Sequence, residues 1–225
     1  YILFVTRGVN LMEEISTREK ISNYIKRNPK SRIYSVSDFS KFGTYASIRK
    51  ALSRLEMEGR LIRVSRGFYK SSEFNILVNE EVASDPDQFA RAYAESYGWK
   101  IAPHKETALN MLGLSTQVPN VFQYVSDGPY RTVSLNDGRK IEFRHRTIRE
   151  ISKLSYKEAA LLEALKTLGK ERISPDVRNR ILRRFSKKEL EALRKRVQKS
   201  RKWIYEEICG LIERSGNSVS NRQRD

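Results

Sequence analysis

The chain has 225 residues, enough for two small domains with a core each. Its 44 Lys and Arg against 27 Asp and Glu leave a net charge of +17, which favours a polyanionic partner, and it has no run of apolar residues long enough to span a bilayer. The single cysteine, Cys209, excludes an intramolecular disulfide and a thiolate zinc site, and fits a reducing, cytoplasmic setting.

The opening YILFVTRGVNLM is short and lacks a cationic start, so it does not read as a secretion signal. Residues 1–11 are expected to be an extension upstream of a natural start at Met12; the alternative is an extra strand or arm. Ser16-Thr17-Arg18-Glu19 is a capping box that opens a helix to about Arg27, ended by Asn28-Pro29. A short helix over Ser35–Lys41 is closed by Phe42-Gly43. Ser47 to Glu58 then carries Ile48, Ala51, Leu52 and Leu55 at a helical period, with Gly59 at C′. Leu61 to Ser65 reads as a strand, Arg66-Gly67 as a two-residue turn and Phe68 to Lys70 as the returning strand.

Helix, turn, amphipathic helix and basic hairpin in this order predict a winged helix-turn-helix over residues 12–72. The outer face of its second helix would present Thr44, Tyr45, Ser47, Lys50 and Arg54, with Arg63, Ser65 and Arg66 at the wing. These eight are the predicted DNA-binding residues. Residues 1–72 hold 15 basic and 6 acidic side chains, and residues 73–225 hold 29 and 21, so the first third has over twice the charge density of the rest. That asymmetry points a polyanion to the first third.

Residues 73–215 are expected to form a second, mostly helical domain with a small antiparallel β-meander, making the whole chain α+β. Glu73 to Ala83 is a link in which FNILV is a candidate strand. Asp85-Pro86 opens a helix to about Tyr97 with Phe89, Ala92, Tyr93 and Ser96 on one face. Pro103 starts another, ending at Leu112-Gly113. Val121–Val125, Tyr130–Leu135 and Lys140–His145 are the meander strands, separated by Asp127-Gly128-Pro129 and Asn136-Asp137-Gly138. Ser155 and Ser186 open capping boxes and Ser174-Pro175 a short helix. The helix after Ser186 is expected to run about 28 residues through the basic stretch Lys195–Lys202, with Cys209 buried on its apolar side. Residues 216–225 are polar and read as a disordered tail.

No Gly-rich phosphate loop, His-Glu-x-x-His or Cys-x-x-Cys appears. Both Asp-Gly pairs are explained as turns, and His104 and His145 as ordinary packed or surface histidines. No enzyme activity, cofactor or metal is therefore expected.

The stretch Arg63-Val64-Ser65-Arg66-Gly67-Phe68-Tyr69, the run ALNMLGLSTQVP over residues 108–119, and YVSDGP over 124–129 followed by IEFRH over 141–145 resemble the AbiEi family of antitoxins of type IV toxin–antitoxin systems. The likeness covers about residues 14–205; His104-Lys105-Glu106 departs from the small, Ser- or Gly-rich helix start of that family. The resemblance implies a winged helix that binds inverted repeats in its own operon promoter and represses it. It also implies a C-terminal domain that counteracts an AbiEii-type nucleotidyltransferase toxin. From the residues alone, Leu109, Leu112, Leu114 and Val118 are core positions and Gly113 a C-cap. A stand-alone winged-helix transcriptional regulator and an RNA-binding protein are the alternatives.

Overall fold

Ser16 accepts the Glu19 amide and Glu19 accepts the Ser16 amide at 3.1 Å, which closes the expected capping box on helix α1 (Thr17–Lys26). The computed structural model that carries this cap describes residues 15–29, 32–72, 74–75, 80–81, 84–147 and 152–220, without the side chains of 74–75, 80–81 and 217–220. The expectations for residues 1–11 and Met12 lie outside them. The chain divides after Val82 into two units, rather than after residue 72.

The first unit continues with β1 (Ile33–Ser35), a 3-10 helix (Val36–Phe42), α2 (Tyr45–Met57), β2 (Leu61–Ser65) and β3 (Phe68–Ser71). β3 is the centre of an antiparallel sheet of order β1-β3-β2. β1 is absent from the sequence reading because three residues are too short to display a period. The core joins Ile21 and Ile25 of α1 to Phe39, to Ile48, Leu52 and Leu55 of α2, and to Tyr34 and Tyr69 of the sheet. The candidate strand FNILV is realised at β4 (Phe74–Asn75), which pairs with β5 (Glu80–Glu81); the rest of that stretch lies outside the described residues.

In the second unit, Asp85 caps α3 (Pro86–Ser96) by accepting the Asp87 amide at 3.0 Å. Pro103 ends strand β6 (Ile101–Pro103) instead of starting a helix; α4 (Glu106–Met111) begins three residues later, and Gly113 follows it at φ +65°. β7 (Val121–Ser126), β8 (Arg131–Ser134) and β9 (Lys140–His145) fall where expected, but they are no meander. β7 and β9 are parallel, and the mixed sheet has the order β6-β7-β9-β8. Only the β8–β9 turn is a hairpin. At the end of β7 a Cβ on Gly128 would fall inside the Trp99 ring, and the Ser126 hydroxyl accepts the Gly128 amide at 2.9 Å. The chain leaves β7, passes the place of β9 to form β8, and returns into β9. A turn signal marks where a strand ends, not which strand is its neighbour.

α5 (Tyr156–Leu168) opens on the Ser155–Glu158 capping box and is buried without interruption from Glu158 to Leu165. α6 (Pro175–Arg184), α7 (Lys187–Arg196) and α8 (Lys202–Ser220) surround it, and Leu161, Leu165, Ile181, Leu190, Leu193 and Ile208 meet in the core. The single long helix expected after Ser186 is two helices that pack on each other. Val197, 2% exposed, ends the first, and burying both apolar faces requires the reversal. Cys209 is half-buried rather than buried. α8 extends through Gly216 to Ser220, against a disordered tail from 216; residues 221–225 are outside the described set. The whole is a mixed α+β protein. Among the described residues no helix is long and apolar enough to cross a membrane, and no group of His, Cys, Asp and Glu could hold a metal ion.

Candidate nucleic-acid interface

Ile48, Ala51, Leu52 and Leu55 are each at most 5% exposed, so α2 is anchored along one side and must present the other. Its N-terminus is held by Thr44, whose Oγ1 accepts the Ser47 amide at 3.3 Å, while the Ser47 hydroxyl donates to the Thr44 carbonyl at 2.9 Å. Two of the predicted hydroxyls thus serve the cap first. Gly43 completes this start: a Cβ there would lie 2.5 Å from Ser47 Oγ and 2.9 Å from Thr17 Oγ1. The close approach of α1 and α2, not a left-handed backbone, is what glycine permits at this position.

Beyond the cap, Tyr45 is 67% exposed and Lys50 and Arg54 stand one turn apart in solvent. Arg49, absent from the predicted set, is also exposed, with its guanidinium 5.7 Å from the Tyr45 ring centre. Its spacing of four from Tyr45 is the signal that would have found it. Among the described residues, none of Arg49, Lys50, Arg54 and Arg66 forms an ion pair, whereas the acid at the far end of the helix, Glu58, is engaged by Arg18 at 2.7 Å. The helix therefore exposes three cations over two turns; of the two acids at its C-terminal end, Glu58 is engaged by Arg18 and Glu56 is half-buried.

The hairpin β2–β3 turns at Arg66-Gly67 with Gly67 at φ +81°. Arg63 and Arg66 are exposed. Ser65 is not: it is 5% exposed, which removes it from any contact surface. The pairing steps from Arg63–Tyr69 to Ser65–Phe68, so Val64 is the extra residue of a bulge that turns both Val64 and Ser65 inward. Strict alternation would have exposed Ser65. The structure thus brings Tyr45, Arg49, Lys50 and Arg54 together on α2 and Arg63 and Arg66 on the adjoining hairpin of the same unit.

The fold and this surface define a two-unit α+β protein whose first unit exposes a cationic helix and a cationic hairpin. Residues 20–193 match a family of unknown function, DUF6088, and the chain belongs to that family. No curated protein matches the chain.

Proposed function

We propose that the first unit is a winged helix-turn-helix that binds duplex DNA, and that the protein represses the promoter of its own operon. The observation that carries the reading is the exposed cationic face of α2, pinned at its N-terminus by Thr44 and Ser47. α2 has 13 residues, a rod of about 20 Å at 1.5 Å per residue, a length that lies comfortably in a major groove. Lys50 and Arg54 contact base edges or phosphates, Arg49 and Tyr45 flank them, and Arg63 and Arg66 reach phosphate or minor groove from the wing. Binding is to be measured by fluorescence anisotropy at about 150 mM salt, on duplex from upstream of the gene and on a scrambled duplex of equal length. The expected preference is about 100-fold or more, roughly 2.7 kcal/mol. Equal, steeply salt-dependent binding to both would reduce the surface to a general polyanion patch.

We further propose that the second unit counteracts a nucleotidyltransferase toxin. The motif that carries the AbiEi resemblance has two parts here. Leu109 and Leu112 are core, but Thr116, Gln117 and Val118 are exposed, Val118 at 69% against the core position expected of it. The exposed Thr116, Gln117 and Val118 leave this loop accessible to a partner. Co-expression with a toxin encoded in the same operon should restore growth, and Val118→Asp should abolish the rescue while leaving promoter binding intact. Rescue by the Val118→Asp variant would remove the loop from the antitoxin surface; no rescue by the unaltered protein would remove the antitoxin reading.

A further inference from the structure

The second unit holds an open cleft of about 600 Å³ between the β6–α4 connection, the start of β7 and the C-terminal half of α5. On its floor lies Glu163, 1% exposed. Its Oε2 meets His104 Nδ1 at 2.8 Å and Arg146 Nη1 at 3.0 Å, and its Oε1 meets Lys166 Nζ at 3.1 Å. Burial alone would raise the pKa of this carboxyl, but the His104 hydrogen bond and the Lys166 and Arg146 charges outweigh it and hold the pKa at about 2. An ionised carboxylate only accepts, so His104 Nδ1 carries the hydrogen.

Glu163 does not engage every cation of the cleft: Lys105 and Arg201 form no ion pair among the described residues. Among the described residues the cleft is lined by Lys105, Arg146, Lys166 and Arg201 against Glu106 and Glu163, a net of +2. Lys105 sits at φ 50° and ψ −129°, the one described non-glycine residue at positive φ. Such a backbone persists only where the surroundings impose it, and residues of this kind gather at binding sites. The Lys166 side chain is recessed, 13% exposed, and so is the His104 ring, 20% exposed. A duplex presents its phosphates on a broad convex cylinder that cannot enter such a cleft. A terminal phosphoryl group on a small molecule can, and brings open oxygens for several donors. Among the described residues the lining contains no aromatic ring on which a base would stack, so the charged group is the part of the ligand these residues engage.

We infer that the Glu163 cleft binds the terminal phosphoryl group of a small ligand, a phosphomonoester or a diphosphate, with Glu163 holding His104, Arg146 and Lys166 in place and Lys105 and Arg201 closing on the anion from the rim. This inference is independent of the DNA-binding surface, which lies in the other unit.

Isothermal titration of the full chain with inorganic pyrophosphate at low salt tests it. Saturable binding is expected, weakened about tenfold or more by Arg201→Gln, the loss of one charge-assisted contact. Arg201 is exposed and forms no ion pair among the described residues, so that variant should melt like the parent. Lys50→Ala in the first unit should leave pyrophosphate binding unchanged. Parallel titrations with AMP and ribose 5-phosphate set the source: tighter AMP points to a nucleotide, equal affinity to any phosphomonoester, and both uphold the site. A Kd weaker than about 10 mM, binding that Arg201→Gln leaves unaltered, or displacement of pyrophosphate by one equivalent of short duplex DNA would overturn it.

Discussion

Replacing Lys50 and Arg54 together by alanine is expected to weaken binding to the promoter duplex by about 100-fold or more and to leave thermal unfolding unchanged. Both side chains are exposed and form no ion pair among the described residues, so their removal opens no cavity and strands no charge. Alanine is also the best helix former, which protects α2 itself. A cation that reads a guanine edge is worth about 1–3 kcal/mol, so two of them reach about 3 kcal/mol at modest values. If they contact phosphates instead, affinity for every duplex falls alike and the slope of log affinity against log salt shrinks by about 2. The anisotropy titration at several salt concentrations separates the two cases. A double variant that binds the promoter like the parent would show that α2 is not the recognition helix.

Arg66 bears on the same measurement from the hairpin. It stands at a tight turn whose partner residue, Gly67, adopts φ +81°, so it is presented by a short and rigid element. Ser65 adds nothing to that tip, because the bulge at Val64 has already turned it into the core.

What the residues disclosed about this fold is mostly local. Three Ser-x-x-Glu boxes start α1, α5 and α7 where they were read, because a cap is a contact between residues three apart. The inner face of α2 was equally plain, since its four buried residues repeat at helical spacing. The non-local decisions were not legible. Nothing in Asp127-Gly128-Pro129 says that Gly128 packs against Trp99, some thirty residues earlier, or that β8 pairs with β9 and not with β7. The apolar period that made one helix of 187–214 is obeyed by both α7 and α8, and period alone does not record a reversal. The Glu163 cluster was hidden for the same reason. Glu163 sits in Leu161-Leu162-Glu163-Ala164-Leu165 and looks like the polar side of an amphipathic helix, but α5 passes through the middle of its unit and has no polar side there. Its partners His104 and Arg146 come from segments far away in the chain, and only the closed fold brings them to one carboxylate.

Glu163→Ala is expected to cost the second unit about 3–5 kcal/mol, because it removes the buried carboxylate that Lys166 and Arg146 share and that His104 donates to. Glu163→Gln separates charge from shape: it keeps the volume and can still accept from His104. For the parent, the carboxyl is held at about 2 in the folded state against an ordinary 4.5. A depressed folded pKa means that the unfolded chain binds the proton more readily, so this contribution is complete above about pH 4.5 and is lost as the pH falls towards 2. The shift corresponds to about 3 kcal/mol at neutral pH. The stability difference between parent and Glu163→Gln, taken from denaturant unfolding at each pH so that the other carboxylates cancel, should therefore be near that size at pH 7 and shrink steadily below pH 4.5. A difference that stays constant from pH 7 to pH 3 would mean that the ionised carboxylate is not what holds the cluster. Retention of parental stability by the alanine variant would mean that Lys166, Arg146 and His104 do not depend on Glu163 at all.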